Sequence, residues 1–318
     1  MPGAASRKQI IKRLRKYTPR TMDSAIAYNN RTNDSTFNAV SWVSYLSMGA
    51  TRQLEAVANA LEAQPTWPSD LAGSLSYSLL AARLAFFWHR QYDVLFPSHP
   101  QPIHLMDWEP ETTSMALAFM LGWREQAVIQ GYIATATLNQ DYSLECGYGG
   151  RHRRGHAFML RLFAAWRNDG TGYRFPEWAH AVPVYETLLQ RWRLADSQEL
   201  TQLLHTACEH HLQQGIQDTA KEFHDFGDDR LTRVPVEILM VLRLREIEGL
   251  SVPSVEHPLM EAPFDALLPP VPVPEPDAYI KGTMKRVHED WPQFENWMTL
   301  EALRRKASPQ VRASRPCS

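Results

Sequence analysis

Seven side chains between positions 205 and 228 form the densest chemistry-bearing stretch of the chain: His205, Cys208, His210, His211, His224, Asp225 and Asp228. A zinc or two-metal site needs three or four such ligands converging at about 2 Å. If residues 196–214 form a helix, the helical repeat turns His205 about 120° away from His211, so a single ion does not collect both. The His224-Asp225 doublet also suggests a metal-dependent phosphohydrolase of the HD type, with His205 or His210 as the first ligand and Asp265 as the last. A Walker loop, a Gly-x-Ser-x-Gly elbow and a His-Glu-x-x-His pair are all missing. The glycine and arginine loop from Glu145 to His156 exposes backbone N–H groups that could cradle an anion, and a link between helices reads the same way. Cys146 has basic neighbours that would lower its pKa but no partner base. Glu237, the one acid inside an apolar run, has Arg233 one turn earlier as a candidate ion-pair partner.

The elements that must hold these groups read as helices throughout, jointed by Gly, Pro, Asn and Asp. Expected helices run from about Ala5 to Tyr17, Thr36 to Met48, Thr51 to Gln64 and Ser69 to Phe96. After a loop from His99 to Glu111 come Thr112 to Leu121, Arg124 to Leu138, Arg154 to Asn168, Pro176 to Leu194 and Asp196 to Gln214. The Asp196 helix has a capping-box start with Glu199. Leu200, Leu203, Leu204, Ala207, Cys208 and His211 share one of its faces, and Gly215 suits a left-handed stop. The tetrad Ala118-Phe-Met-Leu returns 39 residues later at Ala157, a spacing that hints at repeated hairpins. Pro269 to Pro276 is too proline-dense for a helix and reads as an extended strap, with amphipathic pieces at Met284 to Met298 and Thr299 to Lys306 beyond it. The expected fold is therefore all-α, stacked antiparallel helical hairpins with a proline-rich strap near the C-terminus. Its parts are a basic N-terminal helix (1–20), one all-α domain (21–268), the strap with C-terminal helices (269–306) and a disordered tail (307–318).

A chain of 318 residues with 44% hydrophobic residues can bury a substantial core. No window approaches the roughly 18 consecutive apolar residues of a membrane span, and Met1 to Arg20 lacks the apolar core of a secretory signal. Three dispersed cysteines (Cys146, Cys208, Cys317) make no disulfide framework and suit a reducing, cytoplasmic compartment. The net charge of -2 conceals an asymmetry. Arg7, Lys8, Lys12, Arg13, Arg15, Lys16 and Arg20 crowd the start with no acid, whereas positions 201–300 hold seventeen Asp/Glu against eight Lys/Arg. An acidic surface of that kind steers a basic partner and repels nucleic acid.

One further pattern lies downstream. An apolar run, Val236 to Leu242, leads into Gly249-Leu-Ser-Val-Pro, then His257-Pro-Leu-Met, then Phe264-Asp-Ala-Leu-Leu. A helix apolar on nearly every side must be surrounded by others, with the proline-rich return doubling back over it. This arrangement resembles the C-terminal end of helical immunity proteins of bacterial polymorphic toxin systems, most closely the immunity protein 49 family, over about Thr112 to Leu268. The resemblance implies a cytoplasmic, non-enzymatic protein that occludes a cognate toxin. The toxin would be a basic nuclease delivered by a secretion system, such as type VI. The acids expected to meet it are Glu222, Asp225, Asp228, Asp229, Glu256, Glu261 and Asp265, with no cofactor or metal. Two other readings stand beside it: a helical-repeat adaptor or secretion chaperone, and the HD-type phosphohydrolase.

Overall fold

In the computed structural model, which describes residues 5–16, 26, 29–30, 39–95, 108–139, 153–195, 197–219 and 222–308, every regular element among these residues is helical. Twelve α-helices are described in order: α1 (Arg7–Leu14), α2 (Ala39–Leu61), α3 (Trp67–Leu95), α4 (Trp108–Met120), α5 (Arg124–Leu138), α6 (Arg154–Arg167), α7 (Pro183–Arg191), α8 (Ser197–Gln214), α9 (Val236–Ile247), α10 (Ala278–Asp290), α11 (Phe294–Trp297) and α12 (Leu300–Ala307). Short 3-10 turns at Glu177–His180 and Pro258–Met260 complete the described set. Helix α2 pairs most extensively with α3, and α4 with α5, as helical hairpins within a bundle.

Two expected helices, Thr36 to Met48 and Thr51 to Gln64, are one. Gly49 does not break the chain there but lets α2 and α3 approach. A Cβ at Gly49 would lie 2.4 Å from Ser78 Oγ, and Ser74 Oγ donates to the Gly49 carbonyl at 2.9 Å. Conversely, the expected Pro176 to Leu194 helix divides into a 3-10 turn and α7, because Pro183 opens a new first turn. The two Ala-Phe-Met-Leu tetrads also prove inequivalent. One closes α4 and enters the turn after it, while the other lies in the first half of α6, so the repeat hint is not borne out. Gly215 has no positive φ; it is glycine because a Cβ would press within 3.0 Å of the Thr232 carbonyl.

Helix α9 is the axis. Every residue from Val236 to Arg245 is buried, and the helix packs against α4, α6 and α8. Its two arginines reach backbone carbonyls of neighbouring segments, and Arg243 also pairs with Glu246. Arg243 donates to the carbonyls of Met120 and Leu268, and Arg245 to those of Trp192 and Ser251. Such clips close the ends of α4 and α7, whose last C=O groups have no partner within their own helices.

The proline-rich segment is extended as expected and is pinned to the turn between α4 and α5. Val271 N donates to the Leu121 carbonyl at 2.9 Å, and Trp123 Nε1 donates to the Val271 carbonyl at 2.6 Å. Gly122, at φ 79°, lies directly under Pro270. Beyond it α10 and α11 return to the first helices, and α12 packs against α5. Tyr45 Oη bonds Thr283 Oγ1 and the Tyr279 carbonyl, and Phe87 meets Trp291, Phe294 and Trp297 edge-on.

Helix α1 is docked more firmly than its thin stripe suggests. Ser6 and Gln9 form a reciprocal capping box, Ile10 and Leu14 are buried, and Arg13 pairs with Asp229 at 2.7 Å. Ile10, Val287, Phe294 and Leu303 all belong to one continuous core, so the segments 1–20 and 269–306 are not separate bodies where they are described. One stretch, Trp67–Trp88, is long and apolar enough to cross a membrane, but 72% of its most apolar window is buried inside the protein. Residues 99–107, 140–152 and 309–318, with Asp196, Cys146 and Cys317, lie outside the described residues.

Candidate functional site

The seven acids singled out from the sequence divide into two groups. Asp225 is buried; its carboxylate accepts from Arg154 N at 2.7 Å and Gly155 N at 3.0 Å, holding the first turn of α6. Its burial removes it from any docking surface. Asp228 is tied to Arg230, which, against the opposing effect of burial, holds its carboxyl below the ordinary carboxylate range. Asp229 pairs with Arg13 of α1. These acids therefore fasten the N-terminal helix and the 222–235 turn to the body. Glu222, Glu256, Glu261 and Asp265, in contrast, are exposed. Replacing Asp225 with Ala should lower stability by about 1–2 kcal/mol, the usual cost of losing a helix N-cap, measured as a shift in the midpoint of urea unfolding at constant slope.

The histidines are distributed just as unevenly. His211 is fully buried, stacked on Phe226 at 3.9 Å, with Nδ1 at 2.9 Å from Glu237 Oε1 and Nε2 at 3.1 Å from the Leu231 carbonyl. Because Nε2 must donate to that carbonyl, the His211 and Glu237 pair shares a second proton between nitrogen and carboxylate. The expected Arg233 partner is elsewhere: Arg233 donates to the Ala5 carbonyl. A buried acid finds a partner among all its spatial neighbours, and here the partner comes from α8. His156 is also buried, which pushes its pKa down to about 4, and it bonds Thr113 Oγ1 at 3.0 Å. Burial likewise raises the pKa of the Cys208 thiol, so that it is inert at neutral pH.

The outer face of α8 differs. An open groove of about 630 Å³ runs between it and the extended chain after α9, lined by Thr201, Gln202, His205, Thr206, Ser254 and Glu256. Beside this groove, His257 Nε2 lies 3.0 Å from Glu209 Oε1, and the His205 ring stands edge-on to that of His257 at 4.9 Å. The Leu259 amide donates to His257 Nδ1 at 3.1 Å, opening the 3-10 turn. In the neutral ring, therefore, the proton resides on Nε2 and points at Glu209. No family, curated protein or solved structure matches the chain. The chemistry of the site is that of an acidic, hydroxyl-rich trough with two imidazoles at its edge, able to accept hydrogen bonds and attract cations.

Sequence reasoning placed His205 correctly on the face opposite His211, but missed Glu209 and His257. The signal for Glu209 was present as the i, i+4 spacing from His205. His257, 48 residues from Glu209, is brought back by the turn at Gly249 and Pro253, and no spacing rule carries that distance.

Proposed function

We propose that this chain is a protein-binding, toxin-neutralising protein of the immunity type, and that a basic partner docks along the acidic edge formed by residues 251–266. The observation that carries this reading is the exposure of Glu256, Glu261 and Asp265 on an irregular segment that flanks an open groove and whose Pro258–Met260 turn packs against helix α8. Charged rims set association rate and choice of partner more than they set affinity. A rigid support behind them lowers the ordering cost of docking. A nuclease domain fits as partner because such enzymes carry excess positive charge where they grip phosphates. Glu222 is exposed as well.

The test is joint charge reversal of Glu222, Glu256, Glu261 and Asp265 to Lys, followed by a growth-rescue assay against a nuclease toxin captured by pull-down with this chain and stopped-flow association with that toxin. Association should slow by at least about tenfold at low salt, with the difference shrinking as salt rises, and rescue should fail. Unchanged kinetics and full rescue would remove this surface from the reading.

A further inference from the structure

We propose that His205, Glu209 and His257 form a binding site for a divalent transition-metal ion at the end of the α8 groove, a site that the sequence alone did not lead us to expect. The nitrogen and oxygen atoms that these three side chains can offer all lie within 4.8 Å of one another. Ligands held about 2.1 Å from a common tetrahedral ion sit about 3.4 Å apart, so a modest inward rotation completes the set. His205 and Glu209 are exposed and free to make that rotation, whereas His257 is buried and fixed. Two imidazoles and one carboxylate suit zinc and its neighbours in the first transition row and disfavour calcium and magnesium, which take oxygen ligands. Three protein ligands also leave a coordination position open. With His205 lining the groove, that position faces the solvent-filled trough.

The hydrogen bonds around His257 dictate how the ion would enter. Its Nε2 now carries the proton that Glu209 accepts, and its Nδ1 accepts from the Leu259 amide. When an ion takes the Nε2 lone pair, the ring's single proton moves to Nδ1, and two N–H groups then face each other across the Leu259 contact. The Leu259 amide must turn away, so loading the ion uncaps the Pro258–Met260 turn. The loss of that one amide hydrogen bond is a small opposition to a three-ligand site. Metal binding is thereby coupled to the conformation of the segment bearing Glu256 and Glu261. The site does not depend on the partner reading, and its test needs no toxin.

Titration of the full-length, metal-stripped protein with Co²⁺, read by its visible absorption, and with Zn²⁺, read by calorimetry, should give one saturable equivalent lost on chelation. H205A and E209Q change exposed side chains and leave the core intact. Each should weaken binding by at least about tenfold, the loss produced even by removing a ligand's outer partner, while H288A, distant in sequence, should not. Zinc should also shift the Leu259 amide resonance in the parent chain but not in E209Q. Absence of a saturable equivalent, affinity unchanged in both H205A and E209Q, or a Leu259 resonance unmoved at saturation would each overturn the site.

Discussion

Glu237→Ala is expected to destabilise the fold by about 3–5 kcal/mol, the usual cost of breaking a buried ion pair by removing one partner. Both partners of the His211 and Glu237 pair have zero exposure, so removing the carboxylate leaves Nδ1 of the buried imidazole with no partner. Breaking such a pair costs far more than the pair itself contributes, since the surviving group keeps its desolvation penalty. That asymmetry supplies an internal control. The double variant Glu237→Leu with His211→Phe removes both polar groups together, and the Leu231 carbonyl still receives Val234 N at 2.9 Å. Its stability should recover most of the single variant's loss. Guanidinium unfolding followed by circular dichroism measures both; equal loss in single and double variants would show that shape, not polarity, dominates at this position.

Arg245→Met is expected to cost about 2–4 kcal/mol, from the loss of several buried hydrogen bonds made by one charged donor. The guanidinium is fully buried and joins the Trp192 carbonyl at the end of α7 to the Ser251 carbonyl and hydroxyl after α9. Methionine fills comparable volume but donates nothing, leaving the Trp192 acceptor buried without this donor, at about 1–3 kcal/mol for each such group. Relief of the buried charge offsets part of this loss. Arg245→Lys should fall between the two, because a single ammonium cannot reach both carbonyls in the planar geometry of the guanidinium fork. The readout is the unfolding midpoint, with hydrogen exchange of the 251–256 amides reporting whether the segment after α9 loosens. A midpoint shift equivalent to less than about 0.5 kcal/mol, the ordinary range of a neutral surface change, would mean that water replaces the clip.

The all-helical class was legible because the apolar residues recur at helical spacing in almost every segment, and α5, α6 and α9 lie within a few residues of where the pattern puts them. Joints were less legible. Gly49 reads as a break and is a close-packing contact; Pro183 reads as an interior residue and is a start. In both cases the deciding features, Ser78 for Gly49 and the 3-10 turn before Pro183, are tertiary or conformational, and local propensity does not contain them. The acids divide along the same line. Charge counting cannot tell Asp225, which caps a helix 70 residues earlier, from Glu256, which faces solvent. The partners of Asp225 and His257 are both set by where the chain returns, and sequence alone does not specify that return.

The way α10 and α11 close over the first long hairpin bears on how this protein emerges from the ribosome. Tyr45 and Phe87 find their partners at residues 279–297, more than 200 positions downstream. Until residues 279–297 are made, the nascent chain carries an apolar surface that these later residues cover. A stalled or truncated product should therefore be held by chaperones or degraded.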